Sequence, residues 1–481
     1  MFKDLGAPVK EGMLQSYFIG PDETGTFNTV YFSISQYEDS VLFLKYNIDT
    51  KKIASYRARN IPDINSKAGA WISTLASNDC VYLGTYYQGH LLRYDIKKDT
   101  FTDLGQALPG ETYIMGLCDD GKDYVYGSTF SGAKLFRMDL KTEQIEDLGG
   151  FDKESLYCRN PHMTKSGKVV TVLGTKQVKV AIYDPLTKEK KVIPYPKKQP
   201  GALSIYKNET GDIFIKFAND APFMVCDGDL QDMTLKEVDI ESAKPAEKRF
   251  YNGSKLIAMT NKSLTVQQPD GNIQEHPLEY ESSGLMLWMV HKGPDGMIYG
   301  SSALPLRMFR YDPDTDETVN LGNPSTTDGE IYSMTNYDGK LYIASYSGAI
   351  ISVYDPKQPW NFGLESNHNP RQIGEIGYGQ NRPTGMITAA NNMIYIASVP
   401  TYGETSGALT ELNPITNEMT VWRGIVDDQS VYVLDNVQGT RMICAATTNE
   451  VGTGADIPVQ DARVFLWDID NKSDQNIKIL I

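Results

Sequence analysis

Apolar and polar positions alternate at short range through residues 112–149, TYIMGLCDDGKDYVYGSTFSGAKLFRMDLKTEQIEDLG. Four runs stand out there: YIMGLC, DYVYGST, KLFRMD and QIEDLG. Each is rich in β-branched and aromatic residues, and each gap holds Gly, Asp, Lys or Thr. That pattern predicts four short antiparallel strands in succession, joined by tight turns. No amphipathic helix of three turns is predicted anywhere in the chain.

The same phrase recurs. Its marker is the end of the third strand with the following turn: YNIDTKK at Tyr46, YDIKKDT at Tyr94, MDLKTEQ at Met138, YDPLTKE at Tyr183 and YDPDTDE at Tyr311. YDPKQPW at Tyr354, LNPITNE at Leu412 and WDIDNKS at Trp467 continue it, with weaker copies CDGDLQD at Cys226 and QQPDGNI at Gln267. Asp opens a turn by bonding to its own backbone, Pro fixes φ, and Thr or Gly completes the reversal. The hairpins between first and second strands repeat too, as in CDDGKDYVYG at 118–127 and YDGKLYIASY at 337–346.

Ten copies spaced about 40–58 residues apart fall in the range of propeller blades. The expected fold is therefore all-β, a β-propeller of four-stranded antiparallel blades. The expected organisation is one domain over residues 1–481. Two abutting smaller propellers, with a seam near 240–250, are the alternative. FKDLG at 2–6 and NIKILI near the C-terminus compete to supply the last blade's fourth strand.

Composition narrows the partners. A formal charge of −15 argues against nucleic acid, because phosphate contact needs a basic footprint. Five scattered cysteines without a CxxC pair fit neither a disulfide framework nor a zinc knot. They read as small core residues. The N-terminus lacks a basic-then-apolar leader pattern and no stretch approaches a membrane span. A cytoplasmic location is expected, although removal of a leader would leave the same appearance. Twenty-nine tyrosines suit half-wet strand ends and sugar-stacking surfaces alike.

Functional residues are expected on the face with the longer loops, those from second to third strand and from fourth to next first strand. Tyr86, Tyr87, Phe130, Tyr346 and Tyr402 recur there at equivalent places. They either pack blade on blade or face one funnel as a stacking surface. Gly84, Gly127 and Gly348 read as turn glycines. His162 and His291 each lie five residues before a turn glycine, so both occupy the same inner-strand point. His162 ends the cluster Tyr157-Cys158-Arg159-Asn160, whose polarity breaks the pattern of a buried strand. His90 lies on a loop of the same face. Arg159 and Arg382 begin inner strands, where a guanidinium could hold a carboxylate by two bonds. Glu330 starts another inner strand, and Glu111 lies just ahead of one. No nucleophile elbow, phosphate loop, zinc-protease motif, EF-hand or dinucleotide fingerprint is present, so no metal or cofactor is assigned.

The repeat YxYGT-x-G-x-L-x-x-YD-x-x-T-x-x-x-x-DLG resembles large propellers of carbohydrate-active proteins, notably polysaccharide and oligosaccharide lyases. That resemblance is architectural. It implies a saccharide ligand and β-elimination at the central funnel, with His162 as base, Tyr113 or Tyr157 as acid and Arg159 or Arg382 as carboxylate clamp. His90, Tyr86, Tyr87, Phe130, Glu330, Tyr346 and Tyr402 would bind substrate. A hydrolase on the same face would need two carboxylates, with Glu330 and Glu111 as candidates. A glycan- or protein-binding propeller without chemistry is the further alternative.

Overall fold

The computed structural model describes residues 3–35, 41–57, 69–197, 199–472 and 478–480. These residues form ten four-stranded antiparallel units, each built from strands in chain order. The units are propeller blades. The third and fourth are also joined by the pair Phe130↔Tyr157. The one described helical turn is the 3-10 segment Leu230–Asp232, in the fifth blade.

The second strand of a blade lies in the middle of its layer, covered on both faces, and its sequence is apolar without alternation. Thr29–Ser35, Cys80–Thr85, Val169–Gly174 and Ile394–Pro400 are buried at every position. Fourth strands such as Lys52–Arg57 and Ile145–Gly150 mix exposed and half-buried residues. Each fully buried Val, Ile, Leu or Phe stabilises the fold by about 1.5–3 kcal/mol, so the middle strands carry much of the stability.

Turn chemistry follows the marker. Asp139 Oδ1 accepts the amides of Lys141 and Thr142 at 2.9 and 2.8 Å. Asn47, Asp184, Asn413 and Asp468 cap their turns in the same way. The fifth residue after the marker takes a left-handed backbone in Lys51, Asp99, Glu143, Lys188, Asp316, Asn417 and Lys472. These acid-rich loops are therefore turns held by their own side chains.

Gly84 and Gly127 are not turn glycines. Both sit in buried strands, where a Cβ would lie 2.5 Å from Ile114 and 2.1 Å from Phe136 respectively. Close packing, and not φ, demands glycine at these two places. Gly348 does take φ +87°.

The chain forms two compact units, Gly12–Ser283, and Met1–Glu11 together with Gly284–Ile481. The first holds six blades. Blade packs on blade through apolar clusters, for example Tyr31 and Phe43 with Leu83 and Tyr94, and Val180 and Ile182 with Ile205 and Ile215. The sixth blade packs on the first through Phe250, Leu264 and Val266 against Val30, Phe32 and Leu44. Residues 240–250 connect the fifth and sixth blades within this unit.

The second unit holds four blades, packed through clusters such as Tyr395, Leu409 and Trp467 with Val431 and Phe465. Its fourth blade is completed by Lys478–Leu480, paired with Val464–Asp468. The C-terminal segment thus supplies the last strand, and residues 3–6 form none. Phe2 lies outside the described residues. The N-terminal segment instead packs Val9 against Leu285 and Phe309, and Arg307 donates to Glu11.

A feature of the inner strands recurs. Near its start the first strand carries one residue more than its partner, a β-bulge. The extra residues are Gln15, Trp71, Met115, Trp288, Tyr332, Asn381 and Tyr432. A bulge leaves that residue outside the pairing and re-aims its side chain. All four inner strands of the second unit have it.

Candidate functional site

Two constellations form at inner-strand starts, one in each unit. In the first unit an aromatic chain runs across the second, third and fourth blades. Trp71 meets Tyr86 and Tyr113 edge-on with ring centres 6.1 and 6.0 Å apart. Tyr86 stacks on Tyr113 at 5.9 Å, and Tyr87 lies 5.5 Å from Tyr113. Tyr113 meets Phe130 at 5.5 Å, and Phe130 stacks on Tyr157 at 4.4 Å. The Arg159 guanidinium caps the series 4.0 Å over the Tyr157 ring. Register explains the assembly: Phe130, last in its strand, pairs with both Tyr113 and Tyr157, which begin theirs. Tyr86 is buried, whereas Tyr87 is exposed and carries a left-handed backbone.

This chain offers faces and little acid–base chemistry. Burial raises the Tyr113 hydroxyl well above the usual phenol range, and neighbouring Tyr87 adds to it. Glu111 is buried and fully engaged: its oxygens accept from Thr129 Oγ1 at 2.7 Å and from the Gly132 amide at 2.9 and 3.1 Å. It fixes a loop.

His162 does not join the chain. Its strand, Tyr157–Met163, puts Tyr157 and Arg159 at one end and His162 near the other, with Asn160 and Pro161 bulged between. Burial, then the Lys207 charge, lowers its pKa to about 4, against a bond to the Ile205 backbone. The ring is neutral at pH 7 and faces the fifth blade. His90 is buried on a third strand, its Nδ1 3.0 Å from Asp103 Oδ2.

The second unit carries the chemically richer group. Glu330 begins an inner strand and pairs with Tyr346, which ends the adjacent one. It is 8% exposed, and among the described residues its Oε2 has no hydrogen-bond partner. Burial pushes its carboxyl up to about 7, although the Arg382 charge opposes the shift. Arg382 lies 5.4 Å over the Tyr346 ring and donates to Thr453 Oγ1 at 3.3 Å. It has no carboxylate partner among the described residues.

Tyr346 and Tyr402 are hydrogen-bonded to each other. Burial and this neighbour hold the Tyr346 hydroxyl above the ordinary phenol range. The bulged residues complete the group. Trp288 lies 5.3 Å from Tyr332, which lies 6.0 Å from Tyr346. Tyr432 feels the charges of Glu450 and Arg382. Glu330, Arg382, Tyr346 and Tyr402 come together as neighbours. Trp288, Tyr332 and Tyr432 are additions that sequence reading missed. Comparison of strand starts across repeats could have found them, because each is an aromatic residue one step out of the alternation.

Glu111 and Glu330 sit near the same place in their blades and differ in one respect. Both oxygens of the first are hydrogen-bonded to a loop, whereas Oε2 of the second has no hydrogen-bond partner among the described residues. Among the described residues no group of three or more His, Cys, Asp or Glu could hold a metal ion. Among them, too, no helix is long and apolar enough to cross a membrane.

No protein-family model matches the chain, and no curated protein matches it. Among solved structures, a streptogramin B lyase is 14% identical, covering 62% of this chain and 93% of its own, with a TM-score of 0.38. The extracellular domain of a protein described as a hybrid two component system of B. thetaiotaomicron is 10% identical. It covers 97% of this chain and 64% of its own, with a TM-score of 0.36. PorZ, described as a surface component of the type-IX secretion system of Porphyromonas gingivalis, is 8% identical over 99% of this chain and 67% of its own. Its TM-score is 0.32. The chain thus spans about two thirds of the length of the latter two structures. The fold itself is a β-propeller of repeated four-stranded antiparallel blades.

Proposed function

We propose that the protein acts on an acidic saccharide by β-elimination, with its chemistry centred on Glu330 and Arg382. The observation that carries this reading is a pair of opposite charges: among the described residues, a buried carboxyl whose Oε2 has no hydrogen-bond partner lies near a guanidinium that makes no ion pair. A carboxyl balanced near neutrality is suited to take a proton at pH 7. Arg382 would hold the substrate carboxylate and stabilise the charge that develops as the α-proton leaves. Glu330 takes that proton, the C–H electron pair becomes the new C=C bond, and the glycosidic C–O bond breaks. Tyr346 or Tyr402 gives its hydroxyl proton to the departing oxygen. Trp288 and Tyr332 supply faces for the sugar rings.

His162 is left out of this chemistry by its place at the other end of its strand and by a pKa lowered to about 4, which makes it a weak base. The aromatic chain of the first unit supports a second reading, saccharide binding without reaction, since it has stacking faces and no available carboxylate in Glu111.

The test is incubation with a panel of uronate-containing oligosaccharides, followed by ultraviolet absorbance of the new conjugated double bond. Product is expected from the native protein, with losses of about a hundredfold or more in Glu330→Gln and Arg382→Ala. Binding by calorimetry without product from any member of the panel would establish the non-catalytic reading instead.

A further inference from the structure

A cavity in the second unit has no part in the chemistry above. It opens beside the segment from Asp355 to Pro370, which joins the third and fourth strands of the eighth blade, Ile350–Tyr354 and Arg371–Glu375. In other blades that connection is a tight turn, as between Tyr183 and Lys190 or between Asp139 and Ile145. Here it is long and folded on itself. Asn369 Nδ2 donates to the carbonyls of Asp355, Gln358 and Pro359 at 3.0, 3.1 and 3.2 Å, and its Oδ1 accepts the Asp355 amide at 2.8 Å. The His368 ring fills the space of a Gly363 side chain: a Cβ there would lie 2.4 Å from it. A long loop tied by its own amide is a rigid wall.

The cavity measures about 520 Å³, and Lys340, Arg371, His368, Asn361 and Asp355 are among its lining. Its charge is the reverse of the molecule's. The protein carries −15 overall, yet here two cations face a single acid. Neither Lys340 nor Arg371 has an ion-pair partner among the described residues. His368 Nδ1 accepts the Glu365 amide at 3.2 Å, so the neutral ring keeps its proton on Nε2 and is a donor there. Asp355 already accepts the Lys357 amide at 2.9 Å, and a carboxylate has acceptor sites to spare for hydroxyls.

The geometry points to a second ligand site in this cavity, for an oxyanion carried on a hydroxylated molecule such as a sugar acid or sugar phosphate. Arg371 and Lys340 hold the anionic group, His368 and Asn361 add neutral donors, and Asp355 takes a neighbouring hydroxyl. The site does not depend on Glu330 or Arg382.

Calorimetric titration of the full chain with glucuronate, glucose phosphate, inorganic phosphate and glucose tests it. The two sugar anions are expected to bind, with affinity falling tenfold or more in Arg371→Ala and in Lys340→Ala. Glucose is expected not to bind, and inorganic phosphate to bind at least several-fold more weakly than glucose phosphate. Arg382→Ala, which removes the other cation, should leave the titrations unchanged at this site. No binding of either sugar anion to the native protein would overturn the assignment. So would affinity that survives in Arg371→Ala and Lys340→Ala but disappears in Arg382→Ala. Equal affinity for phosphate and glucose phosphate would overturn the role given to Asp355.

Discussion

Glu330, which is buried, and His162, which is half-buried, are both ionisable groups on inner strands, and they bend the stability curve in opposite ways. Burial raises the Glu330 carboxyl from 4.5 to about 7, so between those values the folded state holds a proton that the unfolded chain has lost. Its contribution is fully present below about 4.5 and is lost as pH rises through 7. Glu330→Gln should therefore stabilise the protein at pH 8, by roughly 2–3 kcal/mol, and much less at pH 5. Denaturant unfolding at the two pH values measures this. An equal effect at both would show that the carboxyl is ionised throughout. His162, lowered from 6.5 to about 4, contributes stability above 6.5 that is lost as pH falls toward 4. His162→Asn should flatten the acid limb between those values, whatever it does to stability at pH 7.

At the scale of elements, the repeat is what the sequence discloses. Middle strands are apolar throughout and turns carry their own caps, so both announce themselves without tertiary information. Short strands such as Lys248–Arg249 have too few residues to show a period, which is why the fifth and sixth copies looked weak. Bulges are hidden for a different reason: one added residue changes no composition and only shifts the alternation. The candidate site was legible in part. Strand-start positions marked Glu330 and Arg382. Whether an acid is free depends on residues distant in sequence, as Glu111 shows with Thr129 and Gly132. Likewise Ile205 and Lys207, which set the state of His162, belong to the next blade. The inner strands of the third and fourth blades approach so closely that a Cβ on Gly116 would lie 2.4 Å from the Asn160 nitrogen. Gly116→Ala should cost more than about 2 kcal/mol, as overpacking does where backbone must move. Thermal unfolding would show it, and an unchanged melting point would mean that the two strands can part.

For the whole molecule, charge sets the behaviour. With −15 at neutral pH, self-repulsion destabilises the compact state, and salt screens it. Many ion pairs are exposed, such as Lys3–Asp316 and Lys97–Asp79, and contribute little. Moderate salt should thus raise the melting temperature by a few degrees, where a fall would show that ion pairs outweigh repulsion. Retention on a DNA-cellulose column at low salt is not expected, given the shortage of basic surface.

The bulges near the inner-strand starts bear on how such a protein can change. The additional residue stands outside the ladder pairing, and its surroundings differ from blade to blade: Tyr332 and Tyr432 are half-buried, whereas Met115 is buried and Asn381 Oδ1 accepts the Gly348 amide at 2.7 Å. Indole, phenol, amide and thioether all occupy it in different blades of this one chain. Substitution at the exposed and half-buried ones, Gln15, Trp71, Trp288, Tyr332 and Tyr432, can alter what the propeller touches at little cost to what keeps it folded, which makes these five positions the natural place to vary what the surface presents, by drift or by directed evolution.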